Sequence, residues 1–306
     1  MSQPFAITGM QFPSRLRLVL IAAIITLLPL SAMTGTDSPA PDARATHFDQ
    51  LQEQLIQDGF DRMFIRSLYQ RPPVKLELVG VSLYAKHREA TLNYDQYLSR
   101  KMIRKAKRYL ENYESELIRA EKDYGVEKEI IIAVMLVETR LGTYTGGRSV
   151  FNTLSSMSVL AEPAVRTLIY EEMVKGSRSK LDFDAWADRK SKWAYNELKA
   201  LLTYTNKYGI DPLTLNGSYA GAVGIPQFMP SNILPYGRDG NGDGRIDLFN
   251  HGDAIASIAS YLKQFGWKPG IDRETKIKVL LRYNYSKYYV ETLLKIVERL
   301  KAYPHE

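Results

Sequence analysis

The chain has 306 residues, of which 45% are hydrophobic and 25% are charged, and it contains no cysteine. This ordinary globular composition excludes a mostly disordered or fibrous protein. The absence of cysteine excludes a disulfide scaffold, a thiolate zinc site, a cysteine nucleophile and a lipid-modified N-terminal cysteine. The formal net charge of +7 indicates an anionic partner, and composition leaves nucleic acid, acidic lipid and an acidic cell-wall polymer open.

The N-terminus has the pattern of an export signal. Arg15 and Arg17 precede an uncharged apolar run at residues 18–30, and small and polar residues follow, with Ala32 as a candidate cleavage site. The run is shorter than the roughly 20 apolar residues that a bilayer span needs. We therefore predict a leader over residues 1–40, either cleaved or retained as a membrane anchor. Both alternatives place the rest of the chain outside the cytoplasm.

The remainder of the sequence predicts a mainly helical protein. Apolar spacing and glycine stops indicate helices over residues 48–59, 94–124, 127–140, 184–207, 254–265 and 286–301. Residues 74–84, which follow a Pro-Pro break, are predicted to be a short extended piece. The charges of residues 94–124 indicate a solvated helix face. Trp186 and Trp193, seven residues apart, are interpreted as core packing.

Glu138 is the first candidate functional residue. It follows the apolar run Ile-Ile-Ile-Ala-Val-Met-Leu-Val and lies near the predicted C-terminal end of its helix. Burial and the negative end of the helix dipole both disfavour a charged carboxylate, so we expect a raised pKa, as a general acid needs. A buried glutamate with a structural partner is the alternative.

A glycine-rich segment at residues 216–231 is the second candidate. Its glycines allow close backbone approach, while Ser218 and Gln227 offer hydrogen bonds to a polar ligand. The segment lacks the pattern of a phosphate-binding loop. A tight turn that packs on the core would have the same composition.

Residues 239–247 resemble a calcium-binding loop. Asp239, Asn241, Asp243 and Asp247 occupy positions 1, 3, 5 and 9 of the template, with glycine at position 6. Position 12 is Asn250 in place of the usual glutamate, and Asp253 at position 15 would close an enlarged loop. The alternative is an Asp/Gly turn in which Asp253 caps the next helix.

Together these segments resemble the membrane-type B lytic murein transglycosylases. The resemblance rests on Val-Glu-Thr-Arg-Leu-Gly at residues 137–142, on the run from Gly217 to Ser231 and on the Asp/Gly loop. Arg-Tyr-Asn-Tyr-Ser at residues 282–286 is similar to a further family segment. The sequence departs from many relatives at Leu141, where they have an aromatic residue.

The resemblance implies a fold and a set of site residues. The fold would be a lysozyme-like catalytic core with additional helical lobes and an EF-hand-like loop, formed by residues 45–306. Glu138 would be the sole catalytic acid and base, and Ser218, Gln227, Tyr283 and Asn284 would orient the sugar. Structural calcium would be bound by Asp239, Asn241, Asp243, the Arg245 carbonyl and Asp253. No organic cofactor or nucleic acid partner is implied, and the location would be the periplasm or cell envelope of a bacterium.

The implied activity is non-hydrolytic cleavage of the β-1,4 bond between MurNAc and GlcNAc in peptidoglycan, which leaves a 1,6-anhydroMurNAc end. One carboxylate suffices for this reaction, whereas glycoside hydrolases usually need two. Two other classes remain open. A muramidase-type hydrolase would use a second carboxylate, for which Asp182, Asp184 and Asp188 are available. A calcium-dependent wall-binding protein would not depend on Glu138.

Overall fold

The computed structural model describes residues 47–87 and 93–302. The predicted leader at residues 1–40 lies outside the described residues. All described residues fall within one compact unit. Among them, no helix is both long enough and apolar enough to cross a bilayer.

The described residues are mainly helical, as predicted. Their two strands, β1 (Arg148–Ser149) and β2 (Asn216–Gly217), form a short antiparallel ribbon. The helices in chain order are α1 (Asp49–Gln57), α2 (Arg62–Tyr69), α3 (Leu78–Lys86), α4 (Arg100–Asn112), α5 (Glu114–Tyr124), α6 (Lys128–Thr139), α7 (Val150–Ser158), α8 (Pro163–Ile169), α9 (Lys180–Tyr208), α10 (Pro230–Tyr236), α11 (His251–Gln264), α12 (Arg273–Tyr283) and α13 (Lys287–Ala302).

Helix α6 lies at the centre of the core. Every side chain from Ile130 to Val137 is buried, because α4, α5, α11 and α13 pack around the helix. A helix that is apolar on all faces is stable only when it is surrounded in this way. The sequence prediction for residues 127–140 is therefore confirmed within one residue at each end.

The prediction of one helix over residues 94–124 is wrong. A short 3-10 turn precedes α4, which begins after Ser99, whose side chain caps it. Tyr113 then breaks the helix, with φ −121° and ψ 31°, and its ring stacks on His251 with a centroid distance of 4.6 Å. The break is set by a tertiary contact, which helical periodicity does not report.

The extended piece predicted at residues 74–84 is wrong for residues 78–84, which lie in α3, and residues 74–77 have no regular secondary structure. Helix α3 begins at Leu78 because the Glu77 carboxylate accepts a hydrogen bond from the Gly80 N–H at 3.1 Å. Helix α9 likewise begins earlier than predicted, since Ser179 caps it. A side-chain cap satisfies an otherwise unpaired N–H and so determines where a helix starts.

Candidate active site

A cleft of about 800 Å³ contains all five predicted catalytic and sugar-contacting residues. These are Glu138, Ser218, Gln227, Tyr283 and Asn284, which come from three distant parts of the chain. The rest of its lining is Tyr84, His87, Asn93, Tyr94, Gln96, Tyr97, Val137, Tyr144, Trp193, Tyr219, Ala220, Ala222, Met229, Tyr285 and Tyr289.

Glu138 is the second-last residue of α6 and is half-buried at the cleft. Among the described residues that line the cleft, it is the only acidic one. Asp184 forms an ion pair with Lys180, Asp188 pairs with Arg166, and Asp182 bonds to Ser179 on the first turn of α9. None of these three aspartates lines the cleft. The described lining of the cleft therefore offers one carboxyl group for proton transfer.

The backbone immediately after Glu138 turns through the left-handed region. Arg140 has φ 51° and Leu141 has φ 64°, and Gln227, across the cleft, has φ 52°. No other non-glycine residue in the described part of the chain has a positive φ. Such conformations are costly and persist where the surroundings impose them, often at functional sites. Leu141 itself is buried, and Tyr144 is the aromatic residue of this turn that reaches the cleft.

The glycine-rich segment forms the side of the cleft beside β2. A Cβ atom on Gly217 would lie 2.1 Å from the Ala222 carbonyl oxygen, so this position needs glycine. Ser218 Oγ accepts hydrogen bonds from the Ala220 and Ala222 N–H groups at 3.3 and 3.0 Å, which leaves its own hydrogen to donate.

Gln227 is oriented by its amide nitrogen. Its Nε2 donates to the carbonyls of Gly224 (2.7 Å) and Thr145 (3.1 Å), and its amide oxygen remains as an acceptor at the cleft. The side chain thus ties the glycine-rich segment to the turn that follows α6.

Tyr283 and Asn284 lie at the end of α12. Tyr283 Oη donates to the Pro226 carbonyl at 2.6 Å, so this hydroxyl anchors the glycine-rich segment to α12. Burial, followed by the charge of Glu138, raises the pKa of Tyr283 well above its usual range. Tyr283 therefore remains a neutral donor beside the carboxylate.

Sequence reasoning missed Tyr289, which lies close to Glu138. Its side chain is 1% exposed, and its buried hydroxyl interacts with the Glu138 carboxyl group. Burial is the main reason that the pKa of Tyr289 is raised, and the neighbouring Glu138 raises it further. Tyr289 stands among several tyrosines at residues 283–289, and nothing in the sequence distinguishes it from the exposed Tyr285 and Tyr288.

A wall of aromatic side chains was also missed. Tyr84, Trp193 and Tyr219 line the cleft, and Lys190 Nζ lies 4.4 Å from the centre of the Trp193 ring. The interpretation of the two tryptophans as core packing is confirmed for Trp186, which is 7% exposed, and Trp193 is partly buried against the core and also lines the cleft. Helical spacing places both rings on one face but does not tell where that face meets solvent.

The predicted calcium loop is folded by hydrogen bonds to its own backbone. Asp239 Oδ1 accepts from the Gly242 and Asp243 N–H groups, and the fully buried Asp253 accepts from Gly240, Asn241 and Asp247. The described residues contain no cluster of three or more His, Cys, Asp or Glu side chains arranged around a common point. The five calcium ligands stay a prediction.

The N-cap alternative for Asp253 is wrong. Helix α11 starts at His251, earlier than predicted, and Asn250 caps it by accepting from the Gly252 N–H at 2.8 Å. Asp253 instead bonds the backbone at both ends of the loop. Burial, with a smaller contribution from the charge of Asp239, raises the pKa of Asp253.

Residues 43–279 match the family described as "Transglycosylase SLT domain". The chain belongs to this transglycosylase family. It is 35% identical over 158 residues to membrane-bound lytic murein transglycosylase B of Escherichia coli, an alignment that covers 52% of this chain and 37% of that protein. The chain thus aligns with little more than a third of that relative's length.

Solved lytic transglycosylases share the fold of this family member. The SLT35 structure from E. coli in complex with calcium superposes with a TM-score of 0.66 at 23% identity, over 84% of this chain and 93% of SLT35. SltB3 of Pseudomonas aeruginosa in complex with NAG-anhNAM-pentapeptide has a TM-score of 0.64 at 18% identity, over 83% and 79%. The predicted lysozyme-like, mainly helical fold class is confirmed.

Proposed function

We propose that this chain is a lytic transglycosylase that cleaves the glycan strands of peptidoglycan. It would break the β-1,4 bond between MurNAc and GlcNAc and leave a 1,6-anhydroMurNAc end. The observation that carries the proposal is that Glu138 is the only acidic residue among the described cleft-lining residues, in a chain of the transglycosylase family. A hydrolase of the usual kind needs a second carboxylate about 5–9.5 Å away. In support, the related SltB3 binds an anhydro sugar, as NAG-anhNAM-pentapeptide.

In this mechanism Glu138 acts twice. Its carboxyl group first donates a proton to the glycosidic oxygen, while the N-acetyl carbonyl of MurNAc assists at the anomeric carbon as the C–O bond breaks. The resulting carboxylate then removes the proton from the C6 hydroxyl of the same sugar, and O6 bonds to the anomeric carbon. The proton count of Glu138 is restored and water is not consumed. General acid–base catalysis by one group in both steps is typical of enzymes that move a proton within one site.

The remaining polar groups orient the sugar. Ser218 donates its hydroxyl hydrogen, and Gln227 presents its amide oxygen, since their other polar atoms are bonded to backbone groups. Asn284 offers an amide at the same cleft. Tyr283 acts through the Pro226 carbonyl and keeps the Ser218–Gln227 segment in place.

We propose that the loop at residues 239–253 binds calcium for stability. Its donors are carboxylate, amide and carbonyl oxygens, which are the ligands that calcium prefers, so the donor set fits the ion. Asp239, Asn241, Asp243, the Arg245 carbonyl and Asp253 would hold it. The related SLT35 has been solved in complex with calcium. Calcium bound here would neutralise the carboxylates of the loop and take no part in the chemistry at Glu138.

The leader pattern at residues 1–40 supports export to the periplasm or cell envelope, where peptidoglycan lies. Retention of the leader would attach the enzyme to the membrane. The E. coli relative is described as membrane-bound.

Mass spectrometry of digested peptidoglycan tests the activity. A lytic transglycosylase releases fragments with an anhydro end, which are lighter by one water than the products of a hydrolase. Hydrated products would assign the muramidase-type alternative, and an unchanged substrate would favour a wall-binding protein. Digestion in ¹⁸O-labelled water sharpens the result, because the anhydro product incorporates no label.

A further inference from the structure

A second groove, of about 610 Å³, lies beside the cleft and has no role in the proposed chemistry. One side is the C-terminal end of α9, with Tyr204 and Tyr208, and another is the loop that includes Arg245 and Phe249. Asn216 of β2 also lines it. The groove is therefore built from the helix, the ribbon and the loop together.

The groove and the cleft share a border. Tyr144 lines the cleft, and the next residue, Thr145, lines the groove. Likewise Ser218 lines the cleft, and Asn216, two residues earlier, lines the groove. Between them the backbones of Gly146 and Gly217 touch so closely that a Cβ atom on Gly146 would lie 2.0 Å from the Gly217 carbonyl oxygen. The border is therefore a closely packed stretch of backbone, to which neither glycine adds a side chain.

The walls of the groove are held in place without a ligand. Tyr204 Oη donates to the Ile246 carbonyl at 2.8 Å, and the Arg245 guanidinium donates to the Tyr208 carbonyl. Both bonds connect α9 to the loop. A preformed groove of this kind costs little conformational entropy when a ligand binds.

The surface chemistry of the groove suits an N-acetylated sugar. Phe249 is a large apolar side chain with 36% of its surface exposed, and Tyr208 adds a half-buried ring. The Asn216 amide is exposed, and no hydrogen bond engages it within the described part of the chain. Apolar rings next to a free amide can contact a sugar face and its N-acetyl group.

Charge favours the glycan over the acidic stem peptide as the occupant. Asp247 lines the groove, is exposed and lies outside the proposed calcium ligands, whereas Arg245 is the one cation among the described lining residues and already donates to Tyr208. The Asp247 carboxylate repels the carboxylates of a peptide but accepts hydrogen bonds from sugar hydroxyls.

We infer that this groove is a distal glycan subsite, which holds the sugar chain that extends beyond the residues bound at Glu138. The inference rests on the proposed function, since it assigns the same polymer to both depressions. It predicts that the groove contributes to the binding and cleavage of long glycan strands, and that it does not affect substrates too short to reach it.

Two groove variants and one control test the inference. Phe249→Ser removes the exposed ring, and Asn216→Ala removes the free amide. Tyr288→Ala is the control, because Tyr288 is 59% exposed and lines neither depression. The value of kcat/KM is measured on long, peptide-free glycan strands and on a tetrasaccharide. We expect each groove variant to lose about three- to tenfold on long strands, which is typical of one lost aromatic or polar contact. Tetrasaccharide cleavage and the control should stay unchanged.

Binding separates this inference from the proposed activity. In the Glu138→Gln background, Kd for long peptide-free strands should rise by the same factor when Phe249→Ser or Asn216→Ala is added. Equal losses on long and short substrates, or no loss on either, would overturn the distal subsite. An absence of anhydro product from the wild-type enzyme would refute the proposed function and leave the binding result to decide the groove.

Discussion

Thr139, the residue after Glu138, donates a hydrogen bond through Oγ1 to the carbonyl of Ile225 at 3.0 Å. The same oxygen accepts from the Gly142 N–H at 3.0 Å. Thr139 is 2% exposed, so both bonds are shielded from water. One side chain thus connects the end of α6, the left-handed turn and the glycine-rich segment, and so determines where Glu138 lies relative to Ser218 and Gln227.

Replacement of Thr139 by Val should therefore lower both stability and turnover. The change leaves the Ile225 carbonyl and the Gly142 N–H without this partner, and an unsatisfied buried group costs about 1–3 kcal/mol. Urea denaturation measures the stability, and kcat on peptidoglycan measures the misplacement of Glu138. Thr139→Ser keeps the oxygen and should retain most of both properties. Equal behaviour of the Val and Ser variants would show that the hydrogen bonds do not matter.

Glu138→Gln should abolish cleavage while the fold survives. Glutamine keeps the size of the side chain but has no transferable proton, and acid–base catalysis is worth about 10²–10⁴-fold. Because one residue serves both steps, we expect a loss at or beyond the upper end of that range. Release of anhydro products gives the rate. Glu129→Gln, on the same helix but away from the cleft, is the matched control. Activity within threefold of wild type would reject Glu138 as the catalytic residue.

Tyr289→Phe should shift the pH dependence of the reaction without unfolding the protein. The change keeps the buried ring and removes only the hydroxyl, so the fold should survive. The hydroxyl dipole beside Glu138 favours the ionised carboxylate. Without this hydroxyl, Glu138 should keep its proton up to a higher pH. The alkaline limb of kcat/KM should move to higher pH. Tyr288→Phe, at an exposed position, should leave the profile in place.

Glu197 should make stability depend on pH. It is 5% exposed, and its carboxylate accepts from the Ser231 N–H and hydroxyl, both at 2.8 Å. Burial is the main cause that raises the pKa of Glu197 above 4.5. The folded protein then holds this proton at pH values where the unfolded chain has released it. The contribution of Glu197 to the free energy of unfolding therefore falls as pH rises from 4.5 through the folded-state pKa.

Glu197→Gln tests this dependence, because glutamine can bond to both Ser231 groups without a charge. Thermal midpoints at about pH 4 to pH 8, from the ordinary glutamate pKa upward, give the comparison. The thermal midpoint of the variant minus that of the wild type should increase as pH rises across this interval. A constant difference between the two proteins would contradict the prediction.

Calcium should stabilise the protein through the loop at residues 239–253. At a calcium concentration a hundredfold above Kd, binding to the folded state alone adds about 2.7 kcal/mol, which moves the thermal midpoint by several degrees. Asp243→Ala should remove the calcium-dependent shift, while Glu291→Ala, an exposed residue of α13, should preserve it. Chelation should reduce stability more than activity at moderate temperature. Identical midpoints with and without millimolar calcium would reduce the loop to an Asp/Gly turn.

The sequence by itself determined the features that depend on neighbouring residues. The continuous apolar run predicted α6 and placed Glu138 at its end, because a helix that is apolar on every face has to lie in the core. The glycine at residue 125 marked a helix end, since it adopts a positive φ. The motif order identified the family and the five cleft residues without any knowledge of their distances.

Only the tertiary structure decided which distant groups meet at the cleft. Tyr289 lies beside Glu138, Trp193 packs against Tyr84 at the cleft, and Tyr113 stacks on His251, each across a large separation in sequence. Local periodicity reports which side of a helix is apolar, and it carries no information about the element that covers that side. The packing of α6 against α13, and of α9 against α7 and α10, supplies that information and thereby sets the geometry of the site.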